Sequence, residues 1–164
     1  MANHDAPARG AEGGGAMRPL PELTLTIPDF VPDARLGLNG RRRAHWTLIR
    51  ELQYDVFWRV VAAILAARQG DGWKLPHARV TVVMVFPRRR RRDLDNLFGR
   101  VKPICDALVA SGVIVDDDVN HIDLVLRSLV EAGVTETRIR VEALAEPPAA
   151  GGTELAGATR EERR

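Results

Sequence analysis

Residues 80–86, Val-Thr-Val-Val-Met-Val-Phe, limit most strongly what this chain can fold into. The run is almost unbroken in apolar side chains and stops at Pro87. A segment of this kind fits a central strand. Proline ends it because a central strand must donate an N–H that proline lacks. The fold is therefore expected to be a sheet built around this strand, with helices covering it.

Other periodicities supply the neighbours. Leu23-Thr24-Leu25-Thr26-Ile27 alternates apolar and hydroxyl residues, as a half-buried strand does. Residues 39–43, Asn-Gly-Arg-Arg-Arg, read as a basic loop with turn chemistry. From about Thr47 to Arg68 the residues Ile49, Leu52, Val56, Val60 and Ile64 recur at helical spacing, and Gly70 and Gly72 stop the helix. Trp46, Trp58, Trp73 and Tyr54 are candidates for stacking bases. Tyr54 and Trp58, four apart on that helix, are expected to pack in the core instead.

A second helix begins at Asp95 or its neighbours and ends at Ser111-Gly112, with Leu97, Val101, Ile104, Cys105 and Leu108 on one face. Pro103 clashes with the carbonyl of Gly99, four residues back, which predicts a kink or a broken first turn. Ile122, Leu124 and Leu126 alternate as a third strand that can pair with the second. Thr137, Ile139, Val141 and Ala143 form a fourth, with Ala132-Gly133 turning the chain into a hairpin. The order β-α-β-α-β-β predicts an α+β domain, a mixed β-sheet with two helices.

Residues 1–21 and 146–164 show no periodicity and read as disordered tails, leaving residues 22–145 as the folded domain. At 164 residues, 45% of them hydrophobic, the chain suffices for one domain with a real core. The single cysteine, Cys105, excludes an intramolecular disulfide and a cysteine-based metal finger, and reads as a buried, inert thiol. No apolar run reaches membrane-spanning length, and the N-terminus lacks the layout of a secretion signal. The expectation is a cytoplasmic protein with no membrane partner.

Five consecutive arginines, residues 88–92, run straight into Asp93-Leu94-Asp95-Asn96. A charge run by itself is commonly a solvated face. Of 24 basic residues only Lys74 and Lys102 are lysines, so arginine is over-represented throughout and the run alone decides little. The junction of opposite charges says more. Guanidinium groups grip phosphate through paired hydrogen bonds. Closely spaced carboxylates bind a hard divalent cation through oxygen. A second acidic knot, Asp116, Asp117 and Asp118, follows downstream.

Asp93 and Asp95 straddle the exit of the central strand, and Asp117 opens the third strand. Pairing of those strands is expected to bring the carboxylates together around Mg²⁺, or alternatively Mn²⁺, since unscreened they repel. Such a cation polarises a phosphodiester and lowers the pKa of an attacking water. At about 100° per residue, Asp95, Lys102 and Asp106 share one stripe of the second helix. The bland alternatives are a solvated Lys102 and an ordinary i,i+4 pair with Asp106. His121 reads as structural. Arg41, Arg42 and Arg43, with Arg90, Arg91 and Arg92, are the expected contacts to a DNA backbone.

The stretches RRRRRDLDNL at 88–97 and DALVASGVIVDD at 106–117, with the strands after them, resemble the RusA family of Holliday-junction resolvases. A weaker likeness extends to LTIPDFVP at 25–32. The resemblance implies that Asp93, Asp95 and Asp117 bind metal, with Asp118 competing for the last place. It implies that Lys102 is catalytic and that Arg92 and Asn96 touch DNA. It further implies Mg²⁺-dependent cleavage of branched, four-way-junction DNA by a homodimer with a mixed α/β fold. About three extra residues, around Phe98-Gly99-Arg100, separate the first acidic motif from Lys102, a departure from the family pattern. The rival expectations are a flap- or fork-selective nuclease using the same site, and a non-catalytic DNA-binding protein.

Overall fold

The structure is a computed structural model and describes residues 22–67 and 74–144. Within these residues lie β1 (Glu22–Pro28), a 3-10 turn (Ala34–Leu36), α1 (Leu38–Arg41), α2 (Trp46–Ala67), β2 (Ala78–Phe86), α3 (Leu94–Ala110), β3 (Ile122–Val130) and β4 (Glu136–Ala143). The α+β class stands. The 3-10 turn and the single-turn α1 are additional to the expected order, and α1 takes up residues 39–41 of the segment read as a basic loop. The expected tails, the helix stop at Gly70 and Gly72, and Trp73 fall outside the described residues.

The four strands form one mixed sheet in the order β1-β4-β2-β3. β2 pairs antiparallel with β4 on one edge and parallel with β3 on the other. The expected hairpin of β3 and β4 is therefore split, with β2 inserted between its arms. The reason lies in β2 itself: its backbone groups need partners on both edges, and its apolar side chains need cover. Gly133, at φ 75°, does turn the chain, but residues 131–135 step across the end of β2, where the Glu131 amide donates to the Phe86 carbonyl.

Side chains crossing the sheet in register, such as Leu25, Ile139 and Val82, form the core with α2 and α3. Each fully enclosed side chain of this size contributes about 1.5–3 kcal/mol. The opposite face is polar: Arg140 bridges Glu22 and Glu142, and Arg79 pairs with Asp123 at 2.8 Å. Exposed pairs contribute only about 0–1 kcal/mol each, so burial against the helices decides which face turns inward.

On α2 the buried residues are Val56, Val60 and Ile64, one i,i+4 ridge. Tyr54 and Trp58 are 51% and 62% exposed, contrary to the expectation that they pack in the core. Each lies two residues from the ridge, about 200° round the helix, which turns it outward. On α3, Leu97, Val101, Ile104, Cys105 and Leu108 are buried as expected. Burial first, and the Asp117 charge second, push the Cys105 thiol up to about 12, so it is inert.

α3 runs continuously through Pro103, so the expected broken turn does not occur. Proline cannot donate to the Gly99 carbonyl, and the Arg41 guanidinium does so instead, at 3.3 Å. Gly99 has no side chain to obstruct this: a Cβ there would lie 2.5 Å from the Leu36 carbonyl oxygen. Among the described residues no helix is long and apolar enough to cross a membrane.

Candidate nucleic-acid interface and acidic centre

β2 ends at Phe86, and the arginine run forms the connection from there to α3. Arg92 shapes that connection. Its guanidinium lies 3.6 Å over the Phe86 ring and donates to the carbonyls of Arg88 and Arg90, each at 3.1 Å. One arginine thus folds the run back on itself, by stacking and by charge-assisted hydrogen bonds. Burial, and next the charge of Arg90, push the Arg92 pKa down. Arg91 reaches only toward Asp93, at 3.8 Å. Among the described residues no carboxylate forms an ion pair with Arg88, Arg90, Arg92 or Arg100.

Asp93 immediately precedes α3 and Asp95 lies in its first turn, where negative charge suits the helix dipole. Asp93 lines a cleft with Arg35, Asn39, Arg43, Arg91, Arg92, Asn96 and Arg100. Asp95 lines a different hollow, beside Leu36, Leu38, Arg41, Phe98 and Gly99. Asp93 has extended backbone ahead of the helix (φ −82°, ψ 137°), whereas Asp95 is within its first turn, and the two line different hollows.

Several expected DNA contacts are engaged within the protein. The Asn96 side-chain carbonyl accepts from the Asn39 amide at 3.1 Å. Arg41 donates to Leu36 and Gly99 carbonyls. Arg42 and Arg43 are exposed, and Arg43 faces the cleft. Arg35, which is paired with Asp33, and Arg100 are the cleft arginines that the expected contacts left out; Arg100 is the one without a carboxylate partner. Its signal was present: it lies four residues beyond Asn96, on the same side of α3.

The second cluster sits further along α3. The Lys102 ammonium donates to Asp117 at 2.5 Å and pairs with Asp106 at 2.9 Å. The Asp117 side chain is 19% exposed, the most enclosed of the three. The hydrogen bond from Lys102 to Asp117, then the one to Asp106, raises the Lys102 pKa well above the usual lysine range. Lys102 is therefore a fixed cation at working pH and cannot serve as a general base. Of the expected stripe, Lys102 and Asp106 come together, with Asp117 added, while Asp95 lines a separate hollow.

Asp93, Asp95 and Asp117 do not offer ligand atoms within 4.8 Å of one another; among the described residues the group that does is Asp116, Asp118 and His121. Strand direction explains the separation. β3 does pair with β2, but in parallel, with Ile122 opposite Ala78. Asp93 follows the far end of β2, whereas Asp117 precedes the start of β3, at the other end. α3 runs back between the two, and Asp95 to Lys102 spans about 10 Å of helix rise. The Asp116–Asp118–His121 grouping has a local explanation: Asp118 caps the turn into β3, accepting from the Asn120 and His121 amides and facing the His121 ring at 2.7 Å.

Carboxylate oxygens are suitable donors for Mg²⁺ or Mn²⁺. As this chain holds them, Asp93, Asp95 and Asp117 do not fit a single ion. No protein-family model matches this chain, and no curated protein matches it in sequence.

Proposed function

We propose that this protein is an endodeoxyribonuclease acting on branched DNA, with four-way junctions as the substrate. The observation that carries the reading is the arrangement along α3. One end collects guanidinium groups that suit phosphate, and about 10 Å further on a lysine sits between two carboxylates. A strand gripped at the arginine end and laid along α3 would pass Lys102. The motifs at 88–97 and 106–117 support the same reading through their resemblance to junction resolvases.

Arg88, Arg90, Arg91 and Arg92, with Arg43, hold and orient the strand by charge-assisted hydrogen bonds. Lys102 stabilises the negative charge that builds on the attacked phosphate, a role open to a fixed cation. Asp117 and Asp106 position the Lys102 ammonium. The proposal includes a requirement for Mg²⁺ or Mn²⁺ and a homodimer, since two matched cuts need two sites. No step is derived through the metal, because the three aspartates do not share one ion position here.

That separation favours one second reading, a DNA-binding protein that does not cut. A synthetic four-way junction, incubated with and without Mg²⁺, separates the two. The nuclease reading expects paired nicks only with the cation. Tight binding with no nicks under either condition would establish the non-catalytic one.

A further inference from the structure

The arginine connection and α3 enclose a cavity of about 410 Å³. Arg88, Arg90, Arg91, Arg92 and Arg100 line it, Phe86 forms part of its wall, and no carboxylate does. Two of these guanidinium groups are fixed. Arg92 is stacked on Phe86 and tied to two loop carbonyls. Arg100 is half-buried and donates to the Pro32 carbonyl at 3.3 Å, while its enclosed Nε has no partner.

The positive charge is balanced from within only at Arg91, which reaches Asp93 at 3.8 Å. Asp33 acts on Arg100 through its charge, but both Asp33 oxygens already accept from Arg35, at 2.9 and 2.8 Å. Burial lowers the Arg100 pKa; Asp33 opposes this, and the Arg92 charge reinforces it. Fixed, partly desolvated cations around one hollow are unfavourable until an anion enters. A dianion suits them better than a monoanion. A phosphodiester carries one negative charge, whereas a phosphate monoester near neutral pH carries about 1.5–2.

We propose that the cavity is a binding site for a phosphate monoester, taken from the terminal phosphate of a nucleic-acid strand. The inference rests on the nucleic-acid part of the proposed function and adds recognition of a strand end to it. Arg100 and Arg92 form the floor of the site, and Arg88 and Arg90 close over the phosphate from the loop.

The test is direct binding of the full chain to three single strands of one sequence: 5′-phosphorylated, 3′-phosphorylated, and hydroxyl at both ends. One phosphorylated strand should bind on the order of tenfold tighter than the hydroxyl-ended strand, the scale of one or two charge-assisted hydrogen bonds. The strand that does so identifies the end. Millimolar inorganic phosphate should erase that advantage by occupying the cavity. Arg100→Gln should remove the advantage and leave hydroxyl-ended affinity unchanged; Arg90→Gln, which also loses a backbone contact, should lower all three affinities and remove the advantage of the phosphorylated strand over the hydroxyl-ended one. Should Arg100→Gln fail to fold, Arg90→Gln decides through the ratio of phosphorylated to hydroxyl-ended affinity, because its side chain is exposed and its loss does not disturb the fold. Equal affinity of the wild-type chain for all three strands would overturn the proposal, as would variants that weaken all three equally. The assay reads no cleavage. A chain that prefers a phosphorylated end but never cuts refutes the nuclease reading alone. A chain that cuts junctions and ignores end phosphates refutes this inference alone.

Discussion

The two ends of α3 treat charge in opposite ways. At its beginning, guanidinium groups outnumber carboxylates, and the arginines that are fixed are fixed by backbone carbonyls and an aromatic ring. Around Lys102, each cation has its anion: one ammonium contacts two carboxylates. The first arrangement leaves a charge for a ligand to meet. The second holds a side chain at a set position with its charge already answered. The arginine end is accordingly read as the place where substrate is gripped, and the lysine centre as the place where it is changed.

The largest expected effect falls on the lysine centre. Asp117→Asn should take junction cleavage to background in a single-turnover assay. Binding should stay the same or tighten, because a negative charge facing the phosphate is gone. Near-wild-type cleavage by this variant would remove Asp117 from the site and leave the contrast between the two ends without chemistry.

Gly99 tests the joint between the ends. Gly99→Ala places a Cβ 2.5 Å from the Leu36 carbonyl oxygen, which neither backbone can easily yield. Overpacking of this sort costs about 1–3 kcal/mol, read as a lower midpoint in denaturant titration. Unchanged stability would mean that the 3-10 turn is not held closely against α3.

A smaller effect is expected in the salt dependence of DNA binding. Replacing Arg88 and Arg90 together with glutamine should flatten the slope of log affinity against log salt by about 1.8, at ~0.9 per lost phosphate contact. Lys102→Ala should leave that slope nearly unchanged. Equal slopes for wild type and the double variant would show that the run faces away from DNA.

The smallest effect concerns Asp33, whose hydrogen bonds from Arg35 hold its carboxyl down, from 3.8 to about 2. Its stabilising contribution is full above the unfolded value and is lost as pH falls through the folded one. The stability difference between the native chain and Asp33→Asn should therefore be present at pH 5 and vanish toward pH 2. A difference that persisted at pH 2 would point to packing rather than charge.

Much of this was legible in the sequence. The apolar run of β2 announced a central strand, and the 3.6-residue period located α2 and the buried face of α3. Strand direction was not legible, since alternation gives which residues face inward and not which way a neighbour runs. That single unknown split the expected hairpin and moved Asp117 to the opposite end of β2 from Asp93. The unbroken helix at Pro103 was hidden for a related reason: the donor that serves the Gly99 carbonyl, Arg41, is remote in sequence. Arg41 and Asn96 read as DNA contacts because charge and motif reveal residue type but not internal partners. Lys102 and Asp106 were legible because both lie on one helix, where spacing fixes geometry.

The division of labour along α3 is tested most directly by measuring affinity and saturated single-turnover rate on one four-way junction with Mg²⁺, for the native chain, Lys102→Ala and Arg90→Gln. Lys102→Ala should lose on the order of 10²–10³ in rate at saturating junction, with affinity unchanged. Arg90→Gln should lose affinity and keep its saturated rate. If Lys102→Ala lost affinity alone, or both variants lost the same quantity, the two ends would not do different work and the account would be contradicted.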